Sequence, residues 1–110
     1  MVSKEIKIKL NTKKGQSEIK TEKLKGNLDC VIVDILEKID IIIQSSLGYL
    51  ILKRNQIEGI NYFAPRIRIV PSENDLKDIL TFDKFKLNEE LLITVIGSKN
   101  IDVGIILRID

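Results

Sequence analysis

The sequence predicts an all-β domain, and three observations carry that prediction. The apolar content is aliphatic and above all Ile: 44% of residues are hydrophobic, only 5% are aromatic, and there is no Trp. Ile is β-branched and stiff at χ1, which suits a pleated sheet better than a helix. Apolar and charged residues alternate in several stretches, and turn formers recur roughly every 8 to 12 residues, which reads as about eight short strands. A single antiparallel β-sandwich of jelly-roll or immunoglobulin-like type, one domain over residues 1–110, fits this pattern.

The first strand is the clearest. Ile6, Ile8 and Leu10 share one face, and Glu5, Lys7 and Lys9 the other, as in a half-buried strand. Asn11 to Gln16 contains the turn formers Asn11 and Gly15, and Ser17 to Leu24 reads as a return strand, so the two predict an N-terminal hairpin. Gly26 and Asn27 then precede the ambiguous stretch Leu28 to Gln44. A helix would line up Leu28, Val31, Ile32, Ile35, Leu36, Ile39, Ile42 and Ile43 on one stripe. The density of Val and Ile and the absence of Ala favour two strands instead, Cys30 to Leu36 and Ile39 to Ser45, parted by Glu37-Lys38.

Gly48 to Lys53 reads as the next strand, ended by Arg54-Asn55-Gln56, with a turn at Ile57-Glu58-Gly59. Asn61 to Val70 follows as a strand containing Pro65, hence an edge strand or a bulged one, because proline has no ladder donor. Pro71 to Asp75 breaks the chain. Leu76 to Asn88 reads as a polar, irregular loop anchored by Leu76, Leu80, Phe82 and Phe85, with a short helical turn capped by Ser72 or Asn74 as one option. Leu91 to Ile96 and Ile101 to Ile109 close the pattern as strands joined by Gly97-Ser98-Lys99-Asn100, a hairpin connection.

Composition excludes whole classes of chemistry. The chain has no His, which removes His-based acid–base work, Ser-His-Asp and Cys-His nucleophiles, and His-ligated metals. One Cys supports neither an internal disulfide nor a thiolate metal cage, and Cys30, within Leu28 to Val33, reads as a buried inert thiol. Eighteen basic and 16 acidic residues leave a formal charge of +2, a near balance that argues against a dedicated nucleic-acid binder but leaves room for a local basic patch. The glycines are isolated and make no phosphate loop. The start, Met1 to Glu5, lacks the features of a secretory signal, and the longest apolar runs are too short to span a bilayer, so neither export nor a membrane is expected. No cofactor and no metal are expected.

Three groups of side chains remain as candidates. Asp29, Asp34, Glu37 and Asp40 match neither a glycosidase pair nor a calcium loop and read as solvated charges. The lysines Lys4, Lys7, Lys9, Lys13, Lys14, Lys20, Lys23 and Lys25 are diluted by Glu5, Glu18 and Glu22 and read as guards of an edge hairpin. Arg66 and Arg68 share a strand face near Tyr62 and Phe63. An ordinary edge-strand role is the first reading; with Tyr49 they are also candidates for interface anchors or for a platform stacking single-stranded nucleic acid. The interface set is Tyr49, Tyr62, Phe63, Arg66, Arg68, Phe82 and Phe85.

Ile41 to Leu52 (IIIQSSLGYLIL), Phe85 to Gly97 (FKLNEELLITVIG) and Val103 to Arg108 (VGIILR) resemble small virion proteins encoded among the structural genes of tailed bacteriophages. The resemblance covers about half the chain and rests on strand-and-turn phrases. It implies a β-sandwich subunit used in many copies in a head, neck or tail, and no defined site residues. The expectation is therefore a non-enzymatic virion structural protein, made in the host cytoplasm and bound to itself or to other virion proteins in a symmetric assembly. Its rival is a small single-strand nucleic-acid-binding barrel using Tyr49, Tyr62, Arg66 and Arg68. A carboxylate hydrolase built on Asp29, Asp34 or Asp40 ranks third.

Overall fold

The computed structural model describes residues 4–12, 15–69 and 81–110. The described chain is all-β and antiparallel: β1 Lys4–Asn11, β2 Gln16–Lys20, β3 Leu24–Ser45, β4 Leu50–Phe63, β5 Arg66–Ile69, β6 Thr81–Lys84, β7 Lys86–Glu89, β8 Leu91–Gly97 and β9 Asp102–Ile109. The sandwich expected from the sequence takes the form of one large sheet, ordered β1-β9-β3-β8-β2 with β4 and β7 also on β3, that curls into a half-barrel. A separate ribbon pairs β5 with β6.

The spine is β3, 22 residues long. The stretch read as two strands is one, and the helical alternative is absent. On one edge β3 pairs first with β9 (Leu28↔Ile109 to Ile35↔Val103) and then with β8 (Ile39↔Gly97 to Ser45↔Leu91). On the other edge β4 follows it from Val31↔Phe63 to Gln44↔Leu50. β8 and β9 therefore lie end to end rather than as the expected hairpin. β1 and β2 do the same one row further out, β1 on β9 and β2 on β8. Sequence adjacency suggested both hairpins, but each strand of the pair is instead sorted to a different half of the long spine.

The interruptions of these rows fall in register. Between Ile35 and Ile39 of β3, the residues Leu36, Glu37 and Lys38 are exposed. Opposite them lies Glu58 of β4, flanked by Gly59 (φ 76°) against Ile35 and, just past Ile57, by Gln56 (φ 53°) against Asp40, with the β8–β9 connection on the other side. Irregularities of this kind bend a strand and tighten its twist, and here they cross the whole sheet. Arg54 and Phe63 would stand about 30 Å apart on a straight strand. Instead the Arg54 guanidinium lies 5.4 Å from the centre of the Phe63 ring, so β4 curls back on its concave face. The Asn61 amide helps hold that curl, donating to the carbonyls of Glu58 (2.9 Å) and Gly59 (3.4 Å).

The concave face is the core. Val31, Val33, Ile35, Ile39, Ile41 and Ile43 of β3 join Leu91, Ile93 and Val95 of β8, Val103, Ile105, Leu107 and Ile109 of β9, and Ile8 and Leu10 of β1 in a single buried cluster. Burial in β3 switches from Leu24 and Leu28 to Val31 and Val33, a change of parity. The cause is one extra residue between the pairs Leu28↔Ile109 and Cys30↔Arg108. Gly26 allows the approach just before it: its φ is +130°, and a Cβ there would lie 2.6 Å from the Asp110 carbonyl oxygen.

Pro65 falls between β4 and β5, where no ladder donor is needed, and β4 continues through the turn expected at Ile57 to Gly59. The loop expected over Leu76 to Asn88 becomes β6 and β7 from Thr81 on; Leu76, Leu80 and the Pro71 to Asp75 break lie outside the described residues.

Thr12 sews the bend together. Fully buried, it donates its N–H to the Ile101 carbonyl (3.0 Å), and its Oγ1 accepts from the Ile101 N–H (2.9 Å) while facing the Lys99 carbonyl. Gly97 lies against it, and a Cβ there would touch Ile39, Ile101 and Thr12 at 3.3–3.4 Å. Thr12→Val keeps the shape and strands the Ile101 N–H, so we expect a loss of about 1–3 kcal/mol in urea unfolding. Thr12→Ser should retain most of the stability.

Candidate interaction surface

The expected interface residues separate into two places. Tyr49, at the turn before β4, stacks on Phe85, with rings nearly parallel (5°) and centroids 5.9 Å apart. Phe85 is buried. The Tyr49 hydroxyl donates to Glu89, and the Ser45 hydroxyl donates to the same carboxylate at 2.8 Å while accepting from the Leu47 N–H at 2.9 Å. Burial, and next the Glu89 carboxylate, push the Tyr49 hydroxyl above its ordinary pKa. Tyr49 and Phe85 are thus internal fasteners that join the β3–β4 turn to β7. Sequence reasoning missed Glu89, although Phe85, Leu87 and Glu89 alternate and so place this carboxylate on an inward face.

Arg66 is also held internally. Its guanidinium donates to the carbonyls of Asp29 (3.0 Å) and Pro65 (2.8 Å) and lies 3.8 Å from the Asp29 carboxylate. Lys84 on the neighbouring strand completes the cluster, 3.0 Å from Asp29 and paired with Asp110. These contacts clamp the β5–β6 ribbon to the start of β3 and the end of β9. The Lys84 hydrogen bond holds the Asp29 carboxyl below its ordinary range, and Asp110 and Asp29 together raise the Lys84 ammonium. Between ribbon and body runs an open groove of about 570 Å³, lined mainly by Tyr49, Leu50, Ile67 and Phe85, with Arg66, Lys84 and Lys86 along it. Tyr49 and Arg66 both line this groove, and Tyr62 does not.

Tyr62 stands instead on the convex face, 70% exposed and opposite Ile32. Ile60, 64% exposed, is opposite Asp34 on the same face. Phe63 points to the concave side beneath Arg54, and Phe82 on β6 is exposed. Arg68 belongs to β5, and its side chain lies outside what is described. Among the described residues β4 pairs with β3 alone, so its outer edge is open.

The carboxylates scatter. Asp29 serves the ribbon clamp, Glu37 pairs with Lys99 at 3.6 Å, Asp40 accepts from the Gln56 N–H at 2.8 Å, and Asp34 is exposed. Among the described residues, no group of three or more metal-ligating side chains is positioned to hold an ion. Cys30 is half-buried beside Arg108, with its thiol pushed up mainly by burial. The charges of β1 and β2 are partly paired, Glu5 with Arg108 and Lys20 with Glu90, both at 3.0 Å. No described helix is long and apolar enough to cross a membrane.

The class defined by this geometry is a curled antiparallel sheet in which β4, like the terminal strands β1 and β2, pairs on one side only among the described residues. Compared with known proteins, the chain matches no family model, no curated protein and no solved structure.

The ribbon clamp has a pH signature. A carboxyl whose folded pKa is depressed contributes stability above its unfolded pKa and loses it as pH falls through the folded value. Asp29→Asn should therefore destabilise the protein at neutral pH, and the gap from the wild type should narrow as pH falls below the ordinary Asp value and through the lower folded one, read from urea midpoints. A gap independent of pH would remove the ionic explanation.

Proposed function

We propose that this chain is a non-enzymatic structural subunit of a phage-like particle, working through contacts with copies of itself or with another particle protein. The observation that carries this reading is the open edge of β4, flanked by exposed Ile60 and Tyr62. An edge strand offers unpaired backbone donors and acceptors, and adding a strand to it is a general way to join protein subunits. The resemblance of the strand-and-turn phrases to small virion proteins of tailed phages gives this reading its setting, the virion.

The rival reading needs a stacking platform, and the side chains offered for it are otherwise engaged. Tyr49 has one ring face on Phe85 and its hydroxyl on Glu89; Arg66 is bonded to Asp29 and Pro65. Tyr62 faces the other way on the convex surface. Single-strand binding relies on several exposed rings along a cationic track, and Tyr49, in the groove against Phe85, and Tyr62, on the convex face, do not line one.

Size-exclusion chromatography with light scattering, with and without short single-stranded DNA, separates the two. A defined oligomer indifferent to DNA is the expected result. A monomer that shifts with DNA and releases it as salt is raised would replace this reading with the nucleic-acid binder.

A further inference from the structure

We infer that two copies of this chain join by antiparallel pairing of their β4 strands, about a two-fold axis at Asn61. The inference rests on the assembly reading above and names its partner and register.

The two halves of β4 differ in how their edge is protected. The first carries Lys53 and Arg54, together with the register shifts that surround Ile39↔Ile57, Ile41↔Arg54 and Gln44↔Leu50. Cations and bulges are the ordinary means of keeping an edge strand from pairing. The second half, Gly59 to Phe63, carries no charge and pairs with β3 without a shift. Its convex positions hold the exposed Ile60 and Tyr62, beside Ile32 of β3.

This half is complementary to itself. With the axis at Asn61, Ile60 of each copy falls opposite Tyr62 of the other, giving two aromatic–β-branched pairs, a favoured cross-strand combination. Phe63 falls opposite Gly59, an aromatic ring covering a position without a side chain. Glu58 falls opposite Ala64, so no like charges meet. The interface is isologous and closes at two copies, extending the sheet from one into the other.

Cross-linking tests the register. In a Cys30→Ser background, Ile60→Cys and Tyr62→Cys proteins are mixed in equal amounts and oxidised. Directly opposed Cα atoms of an antiparallel pair lie about 4.5–5.5 Å apart, within disulfide reach. The mixed species should exceed either self-linked species severalfold. In light scattering, Ile60→Lys, at a position already exposed, should weaken the dimer roughly tenfold or more while leaving circular dichroism unchanged. A wild-type oligomer indifferent to Ile60→Lys, or self-linked species in excess, would overturn the β4 pairing and leave the assembly reading standing. A wild-type monomer at every concentration that also binds no particle protein would remove both.

Discussion

Everything in this molecule hangs on β3, which is bonded along both edges. Its 22 residues take β9 and then β8 on one side and β4 on the other, and β7 at its start. A strand so placed has to bury one face throughout, and the run of Val and Ile from Val31 to Ile43 does so. A straight strand of this length cannot enclose a core by itself. The exposed step at Leu36 to Lys38, matched by irregularities in the neighbouring rows, bends the sheet so that its two halves share one core.

That bend explains which polar groups are spent inside. Thr12 and Gly97 close the places where the outer rows break, and Glu89 gathers the Ser45 and Tyr49 hydroxyls where β3 turns into β4. Asp29, Lys84, Asp110 and Arg66 fix the accessory ribbon. With those residues used as fasteners, the outer edge of β4 and its convex face remain open among the described residues. The proposed assembly role follows from that division between used and unused surface.

The sequence made the class legible, and for a physical reason: period-two burial is local, so Ile6, Ile8 and Leu10, or Val103, Ile105 and Leu107, display it within a few residues. It also located the step at Glu37-Lys38, although as a break between strands. Pairing is a different matter. Whether β1 turns back on β2 depends on the length of β3 and on where it bends, which no window of ten residues contains. The same holds for the site. Tyr62 and Phe82, two of the expected interface residues, are exposed. Tyr49, Phe85 and Arg66 carry the same chemical types, but their partners Glu89 and Asp29 come from distant parts of the chain. An inward carboxylate such as Glu89 makes sense only with the two hydroxyls that meet it, Ser45 and Tyr49, which lie 44 and 40 positions away in the chain.

Amide hydrogen exchange at low protein concentration tests the central claim most directly, because it reports opening residue by residue. If β3 is one continuous spine, its amides on both sides of Leu36 to Lys38 should open with the same, largest free energy. The amides of β4 should exchange faster. Two halves of β3 opening with separate free energies, or a β4 protected as fully as β3, would contradict the account.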